Sequence, residues 1–319
     1  MKNNPEFNNL FRSFELATVY REMAHSKKSF LANLPRLIVM QLEYQFLPYY
    51  FGGVPKWRVW MRRFLSKNRV VPDYVMIGPM KSGSSDLVSH LLLHPNIMVP
   101  LAKEIDALKG KDWHAYYPRV KEKEQLERKR SGPIRCGFLE PAIHDLRLME
   151  KLYQLNPNSK IIITLRDPVA RAYSQWKWEV FLSAKSLEKR PYFQHFSIFI
   201  QRSLELFPSI AMNTVCGFPV LETGIYHKAV ELWIKRFGKE NVMIIDVAEY
   251  FKERQPVFKK IQEFLDLPII SIPEYDKKLN ENPMKLEQPS KESKLALSEF
   301  YSPYNQRLYE LLGTDFGWQ

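Results

Sequence analysis

Cysteine is scarce in this chain, whose 319 residues include only Cys136 and Cys216. Two cysteines without metal-ligand spacing exclude a disulfide framework and favour a reducing compartment. The first residues lack the apolar core of a signal peptide, so a cytoplasmic location is expected. Long apolar runs are also missing, because Arg36, Glu43 and two prolines interrupt the apolar, aromatic stretch 30–53. A transmembrane span is therefore not expected.

Acidic residues are outnumbered by basic ones: the chain has 35 Asp and Glu and 47 Lys and Arg, which gives a formal net charge of +12. Such a surplus favours an anionic partner: a nucleotide, an acidic glycan, a nucleic acid or an acidic membrane surface. The basic residues are spread along the chain, and no zinc-finger, RNA-binding or helix-turn-helix signature is present, so nucleic acid is not an expected partner. The sequence contains no acidic cluster that would indicate a metal site.

Strand and helix patterns alternate from about residue 71 onward. This alternation predicts an α/β fold, a single domain at 71–319 whose central parallel sheet is flanked by helices on both faces. Residues 1–70 are predicted to form a helical N-terminal segment, and 184–222 an aromatic, weakly patterned insertion. Segments 73–78, 96–100 and 159–168 are predicted strands, 122–130 a helix or loop, 169–181 and 256–267 helices, and 225–252 a helix, turn and strand.

The stretch "IGPMKSGSSDL" joins a predicted strand to a predicted helix. Backbone N–H groups at the start of such a helix, with Lys81 and several hydroxyls beside them, are typical of an anion site. An ordinary strand–helix turn whose serines cap the helix is the alternative. The order differs from Gly-x4-Gly-Lys-Ser/Thr, which argues against an ordinary ATPase. The predicted cofactor-binding residues of this turn are Lys81, Ser82, Gly83, Ser84, Ser85 and Asp86.

A second turn, "LRDPVARAYSQW", has the same arrangement. Arg166 ends the strand, and Ser174 lies about two turns into the helix, where it can face back toward Arg166 and help bind a phosphate. The alternative is that Arg166 pairs with Asp167 or with a surface carboxylate. Ligands of open α/β sheets bind at the carboxyl ends of strands, so both turns are expected to line one crevice that holds a nucleotide with two separated phosphate groups.

These two turns resemble the 5′-phosphosulfate loop and the 3′-phosphate motif of sulfotransferases that use 3′-phosphoadenosine-5′-phosphosulfate (PAPS), nearest the carbohydrate and heparan type. The segments "VPLAKEIDALKGKDWHAYY", "GIYHKAVELWIKRFGKENVMIIDVAEY" and "SEFYSPYNQRLYELLGTDFGW" resemble later blocks of that family. The similarity runs in order over about residues 72–318. It implies a P-loop-like sulfotransferase fold, PAPS as the sulfuryl donor, adenosine 3′,5′-bisphosphate (PAP) as its product, and no metal.

The resemblance also implies roles for residues outside the two turns. It assigns Glu104 as the general base, and Lys103 and Lys81 as further catalytic residues; Tyr226 joins the cofactor-binding set. The family's cysteine-bridged loop, which would identify the basic residue that closes over the 3′-phosphate, is missing from this sequence. Lys285 is assigned to that role by its position alone. The family's Gly-Glu-x-Ser-Pro block appears here as "GFLEP". His114 and Glu140 are rival bases, and a surface Glu–Lys pair is the structural alternative for 103–104.

The expected reaction is in-line transfer of a sulfuryl group to a hydroxyl or amine of a carbohydrate or a small natural product. Two alternatives stay open: a P-loop-like small-molecule kinase and an inactive sulfotransferase-like binding module. The aromatic segment 190–207 is expected either to wall the acceptor pocket or to pack in the interior. The oligomeric state is left open.

Overall fold

A computed structural model of the chain describes most residues from 68 onward and parts of the N-terminal segment. The described residues are 28, 31–32, 34–35, 38–39, 49–50, 54–65, 68–101, 113–140, 142–183, 193–208, 219–272 and 286–318.

Five of the described strands form one parallel sheet, which confirms the predicted α/β class. The spatial order of the five is the fourth, fifth, third, sixth and seventh strand of the chain, and every pairing among them is parallel. The first two strands pair only with each other, antiparallel. The strands are β1 (Tyr49–Tyr50), β2 (Val54–Pro55), β3 (Tyr74–Ile77), β4 (Ile97–Met98), β5 (Arg135–Glu140), β6 (Lys160–Leu165) and β7 (Val242–Asp246).

Helices cover both faces of this sheet. Among the described residues, none of them is both long and apolar enough to cross a bilayer. Short 3₁₀ turns occupy Trp113–Tyr116, Glu222–Gly224 and Lys239–Asn241. The α-helices are α1 (Lys56–Leu65), α2 (Ser84–Leu91), α3 (Val120–Glu127), α4 (Leu146–Leu155), α5 (Pro168–Ser183), α6 (Phe196–Glu205), α7 (His227–Phe237), α8 (Val247–Lys252), α9 (Arg254–Phe264) and α10 (Lys291–Leu312).

Alternate residues of the strands contribute to two separate cores. In β3, Val75 and Ile77 join the core that also holds Trp233 of α7. Tyr74 and Met76 join the core formed with α2, α8 and α9. All four β3 side chains are buried, so the strand lies in the middle of the molecule and its carboxyl end is held firmly from both faces.

The strand order places a topological switch point between β3 and β6. After β3 the chain continues to β4 and β5 on one side, whereas after β6 it continues to β7 on the other. Ile77 lies opposite Ile163 of β6 and Glu140 of β5, so these strands end at the same edge. A crevice is expected beyond the carboxyl ends of such strands, and this is where both predicted anion turns lie.

One strand of the parallel sheet was not predicted from the pattern. β5 has Gly137 at its centre, a residue that disfavours strands. A Cβ on Gly137 would lie 2.5 Å from the Tyr74 carbonyl oxygen and 2.6 Å from its ring. The large buried Tyr74 therefore requires a glycine opposite it, and this packing relation between distant residues cannot be seen in the β5 sequence.

The aromatic insertion is partly helical. α6 lies within it and buries Phe196 and Phe199 in a third core, together with Phe193, Trp176 of α5 and Tyr301 of α10. These aromatic side chains therefore have the interior packing role, which was one of the two expectations for 190–207.

Candidate active site

The turn after β3 adopts a tight conformation that only particular residues allow. Gly83 has φ +77°, and a Cβ there would lie 2.3 Å from Val247 Cγ2. Lys81, two residues earlier, has φ +71°, which is uncommon for a residue with a side chain. At the start of the turn, a Cβ on Gly78 would lie 2.5 Å from Thr164 Oγ1. The turn thus packs closely against β6 and α8 before α2 begins at Ser84.

The serines of the turn have different roles. Ser82 is fully buried and its Oγ lies 2.8 Å from Thr164 Oγ1 of β6. The hydroxyl thus faces the sheet, and the contact between Ser82 and the ligand stays a prediction. Ser84 and Ser85 are half-buried at the N-terminus of α2. The Ser84 hydroxyl has no hydrogen-bond partner in the described part of the chain, so it is the hydroxyl best suited to a bound anion.

The Asp86 side chain also points away from the turn. Its buried Oδ2 accepts a 2.7 Å hydrogen bond from the Tyr250 hydroxyl and lies 3.6 Å from Arg254. Burial and this carboxylate both raise the pKa of Tyr250. These contacts anchor α2 against α8 and α9, and the role of Asp86 in binding the cofactor stays a prediction. Arg254 offsets a negative charge that would otherwise weaken anion binding nearby.

Arg166 follows β6 and reaches the first turn. Its Nη1 donates a 3.3 Å hydrogen bond to the Lys81 carbonyl oxygen, which brings the two predicted anion sites into one crevice. Burial is the main cause that lowers the pKa of this half-buried guanidinium. No carboxylate of the described residues is within ion-pair distance of it. The Asp167 carboxylate instead accepts the Val169 N–H at 2.9 Å and caps α5.

Ser174 lies on the face of α5 that turns toward the anion loop. Residues three and four apart share a helix face, and Ser174 has Arg171 before it and Trp178 after it. Arg171 Nη1 donates to the Met80 carbonyl oxygen at 3.4 Å, and the Lys81 ammonium lies 4.4 Å from the centre of the Trp178 ring. The Ser174 hydroxyl is half-buried and has no partner among the described residues.

Tyr226 supports the site from behind. Its buried hydroxyl donates a 2.9 Å hydrogen bond to the Arg166 carbonyl oxygen. Burial raises the pKa of Tyr226, so the phenol stays protonated and remains a donor. Tyr226 therefore holds the backbone of Arg166, and its direct contact with the cofactor stays a prediction.

Sequence reasoning missed Arg171, the most unusual residue near the site. Its side chain is fully buried and donates to three neutral oxygens: those of Met80, Gln175 (2.7 Å) and Val220. Its Nε is buried without a partner. A charge this deep ordinarily has a carboxylate beside it. The only available sequence signal was its place five residues after Arg166, which equally fits a surface helix position.

The predicted base and two predicted lysines lie outside the described residues: Glu104, Lys103 and Lys285. Both rival bases are described. His114 is half-buried in the 3₁₀ turn Trp113–Tyr116. Glu140 is buried at the end of β5, opposite Ile77 and therefore beside the anion turn.

The described residues contain no group of three or more His, Cys, Asp or Glu side chains that is suited to a metal ion. This edge of the sheet carries several fixed positive charges. Lys81, Arg166, Arg171 and the N-terminus of α2 are grouped around the turn after β3. The hydroxyls of Ser84, Ser85 and Ser174 are half-buried. Such a donor set binds anions and stabilises negative charge that develops during a reaction.

Known proteins have sequences similar to this chain. The family model described as "Sulfotransferase domain" matches residues 71–306. Heparan sulfate glucosamine 3-O-sulfotransferase 5 of Mus musculus is 24% identical over 275 residues, which cover 78% of this chain and 74% of the relative. The membrane-associated sulfotransferase kil1 of Dictyostelium discoideum is 22% identical over 322 residues, which cover 78% and 67%.

A solved structure shares the fold. The crystal structure of a sulfotransferase from Alicyclobacillus acidocaldarius matches with a TM-score of 0.58 and 21% identity, over 77% of this chain and 98% of that one. The family match covers β3 through most of α10, including both anion turns. This chain belongs to the sulfotransferase family, as its sequence blocks predicted.

Proposed function

We propose that this enzyme transfers the sulfuryl group of PAPS to a hydroxyl or amine of a carbohydrate or a small natural product. The observation that carries the proposal is the contact between Arg166 and the Lys81 turn at the switch point of the sheet. A half-buried guanidinium without a carboxylate partner among the described residues is suited to a bound anion. Its proximity to a second anion turn suits a nucleotide with two phosphate groups.

The two anion turns would each bind one phosphate group of PAPS. Arg166 and Ser174 lie at the carboxyl end of β6 and on α5, where they would hold the 3′-phosphate. Lys81, Ser84 and the N-terminal N–H groups of α2 would hold the 5′-phosphosulfate. Gly83 allows the left-handed backbone conformation (φ +77°) that the turn needs at this position.

Lys81 would assist the transfer by neutralising the charge that grows on the bridging oxygen as the sulfur–oxygen bond to the 5′-phosphate breaks. Glu104 would accept the acceptor proton as the new oxygen–sulfur (or nitrogen–sulfur) bond forms, and PAP would leave. Lys103 would contact the transferring sulfuryl oxygens. Glu140 is the alternative base, because it ends the strand next to β3.

An acidic glycan is the acceptor that the net charge of +12 favours. Curated relatives named for 3-O-sulfation of heparan sulfate glucosamine support the same class. A small natural product is the second candidate acceptor, and it goes with the cytoplasmic location that we keep as part of this proposal.

Calorimetry with PAP, PAPS and ATP tests the donor assignment. We expect PAP and PAPS to bind and ATP to bind far more weakly, because Arg166 and Ser174 recognise a 3′-phosphate that ATP lacks. Preferential ATP binding would instead indicate a kinase.

Incubation with radiolabelled PAPS and either heparan sulfate or fractionated cell extract then tests transfer. Label in a polysaccharide or in a small molecule identifies the acceptor class. Tight PAPS binding without transfer to any fraction would indicate an inactive binding module.

A further inference from the structure

Helix α1 carries a stripe of exposed apolar side chains. Trp60, Phe64 and Leu65 are 61%, 67% and 65% exposed, and Trp57 and Met61 on the same side are also exposed. The positions follow the i, i+3, i+4, i+7, i+8 spacing of one helix face. The Trp60 and Phe64 rings contact each other, with their centroids 4.9 Å apart. An apolar face normally faces a core, but this one faces away from it.

The opposite face of α1 is fixed to the sulfotransferase domain. Val59 is buried in the main core. Arg62 donates from Nε and Nη2 to the carbonyl oxygens of Ala115 and Tyr117, both at 2.6 Å. Arg69 donates to the Tyr117 carbonyl oxygen at 3.0 Å and to that of Arg62 at 3.2 Å. Because these bonds hold the inner face, the helix cannot rotate its apolar stripe into the protein without breaking them.

Charge indicates what the stripe contacts. The helix sequence KWRVWMRRFL has four basic residues and no acidic one. A second copy of the chain would bring the same positive charge to the contact. The upstream stretch 30–53 contains one arginine and one glutamate, so it offers no net negative charge to complement the helix. A lipid surface with anionic headgroups complements both features, since it accepts tryptophan and phenylalanine at the interface and attracts nearby arginine and lysine.

Exposed apolar residues are also found upstream. Leu31, Ile38 and Val39 are all more than half exposed. Together with the α1 stripe they make the N-terminal region the richest part of the described chain in exposed large apolar side chains, whereas those of the sulfotransferase domain are scattered singly.

We propose that α1 is an interfacial helix that docks the enzyme on an anionic lipid bilayer. The stripe Trp57, Trp60, Met61, Phe64 and Leu65 inserts at the level of the headgroups, and the exposed Arg63 contacts the anionic lipids. The attachment is peripheral, because a ten-residue helix is too short to span a bilayer.

Co-sedimentation of the full chain with vesicles tests this proposal. We expect binding to vesicles of phosphatidylcholine with phosphatidylglycerol, weak binding to phosphatidylcholine alone, and loss of binding as salt is raised. The double variant Trp60→Glu, Phe64→Glu should lower the partition coefficient by about tenfold or more. Both positions are exposed, so the thermal unfolding midpoint should change little.

Leu295→Glu is the matched control, because Leu295 is an exposed apolar residue of α10 with a similar exposure of 60%. It should leave vesicle binding unchanged. Absence of wild-type binding to anionic vesicles would overturn the proposal, as would equal losses in the α1 variant and the control. Sedimentation velocity adds a further test: a dimer that the α1 variant dissociates, without vesicle binding, would make a second copy the occupant. None of these outcomes depends on the identity of the sulfuryl donor.

Discussion

Replacing Arg166 by alanine is the most direct test of the hypothesis that the crevice binds a nucleotide with two separated phosphate groups. The guanidinium is half-buried, and its one hydrogen bond to a described residue is the long contact of 3.3 Å with the Lys81 carbonyl oxygen. Its main task in the proposed complex is therefore to bind the 3′-phosphate. A hydrogen bond to a charged group contributes about 1.5–3 kcal/mol, so Arg166→Ala should weaken PAP binding by roughly tenfold to 150-fold.

The stability of the protein should respond differently from its affinity. Burial lowers the pKa of Arg166, which means that desolvation disfavours the charged form in the free enzyme. Removing the side chain relieves that cost and loses one long hydrogen bond. We therefore expect the thermal unfolding midpoint to change by less than about 4 °C.

Isothermal titration calorimetry with two nucleotides separates the roles. PAP should lose affinity in the variant, whereas adenosine 5′-phosphosulfate, which lacks the 3′-phosphate, should bind almost as it does to the wild type. Arg147→Ala is the control, since this arginine has a side chain that is 93% exposed and should affect neither nucleotide. Equal losses for both nucleotides, or a large fall in the unfolding midpoint, would refute the assignment and indicate a structural role.

Three further substitutions test other parts of the site. Glu104→Gln should lower kcat by at least about a hundredfold while PAPS affinity stays nearly unchanged; near wild-type kcat, measured where chemistry limits the rate, would move the base to His114 or Glu140. Arg171→Met leaves three carbonyl or amide oxygens without their donor. It should lower the free energy of unfolding, measured by urea denaturation, by about 3 kcal/mol or more, and Arg171→Lys should restore part of that loss. An unchanged urea midpoint would contradict the structural role of this buried charge. Gly83→Ala should weaken PAP binding and lower the free energy of unfolding by at least about 1 kcal/mol, because alanine is strained at φ +77° and its Cβ would overlap Val247. A PAP affinity and a free energy of unfolding equal to those of the wild type would show that the turn tolerates a side chain.

The sequence by itself determined the features that depend on short segments. Buried runs such as YVMI and KIIITL predicted β3 and β6, because an uninterrupted apolar run of that length is typical of a strand covered on both faces. Lys81, Gly83 and Arg166 could be singled out because their chemistry and their place directly after a strand are local properties. Parallel strands then imply that both turns meet at one edge, and the contact from Arg166 to the Lys81 carbonyl oxygen agrees with this.

Only the tertiary structure decided where individual side chains point. Ser82 is a hydroxyl in an anion turn by sequence, yet its partner is Thr164, 82 residues later. Asp86 faces Tyr250, and the Tyr226 hydroxyl supports the Arg166 backbone. Each of these contacts joins segments that are distant in the chain, and the direction of a side chain depends on which partner the folded chain brings near it. A local pattern can therefore place a residue at a site, whereas its task there is set by neighbours that the pattern does not contain.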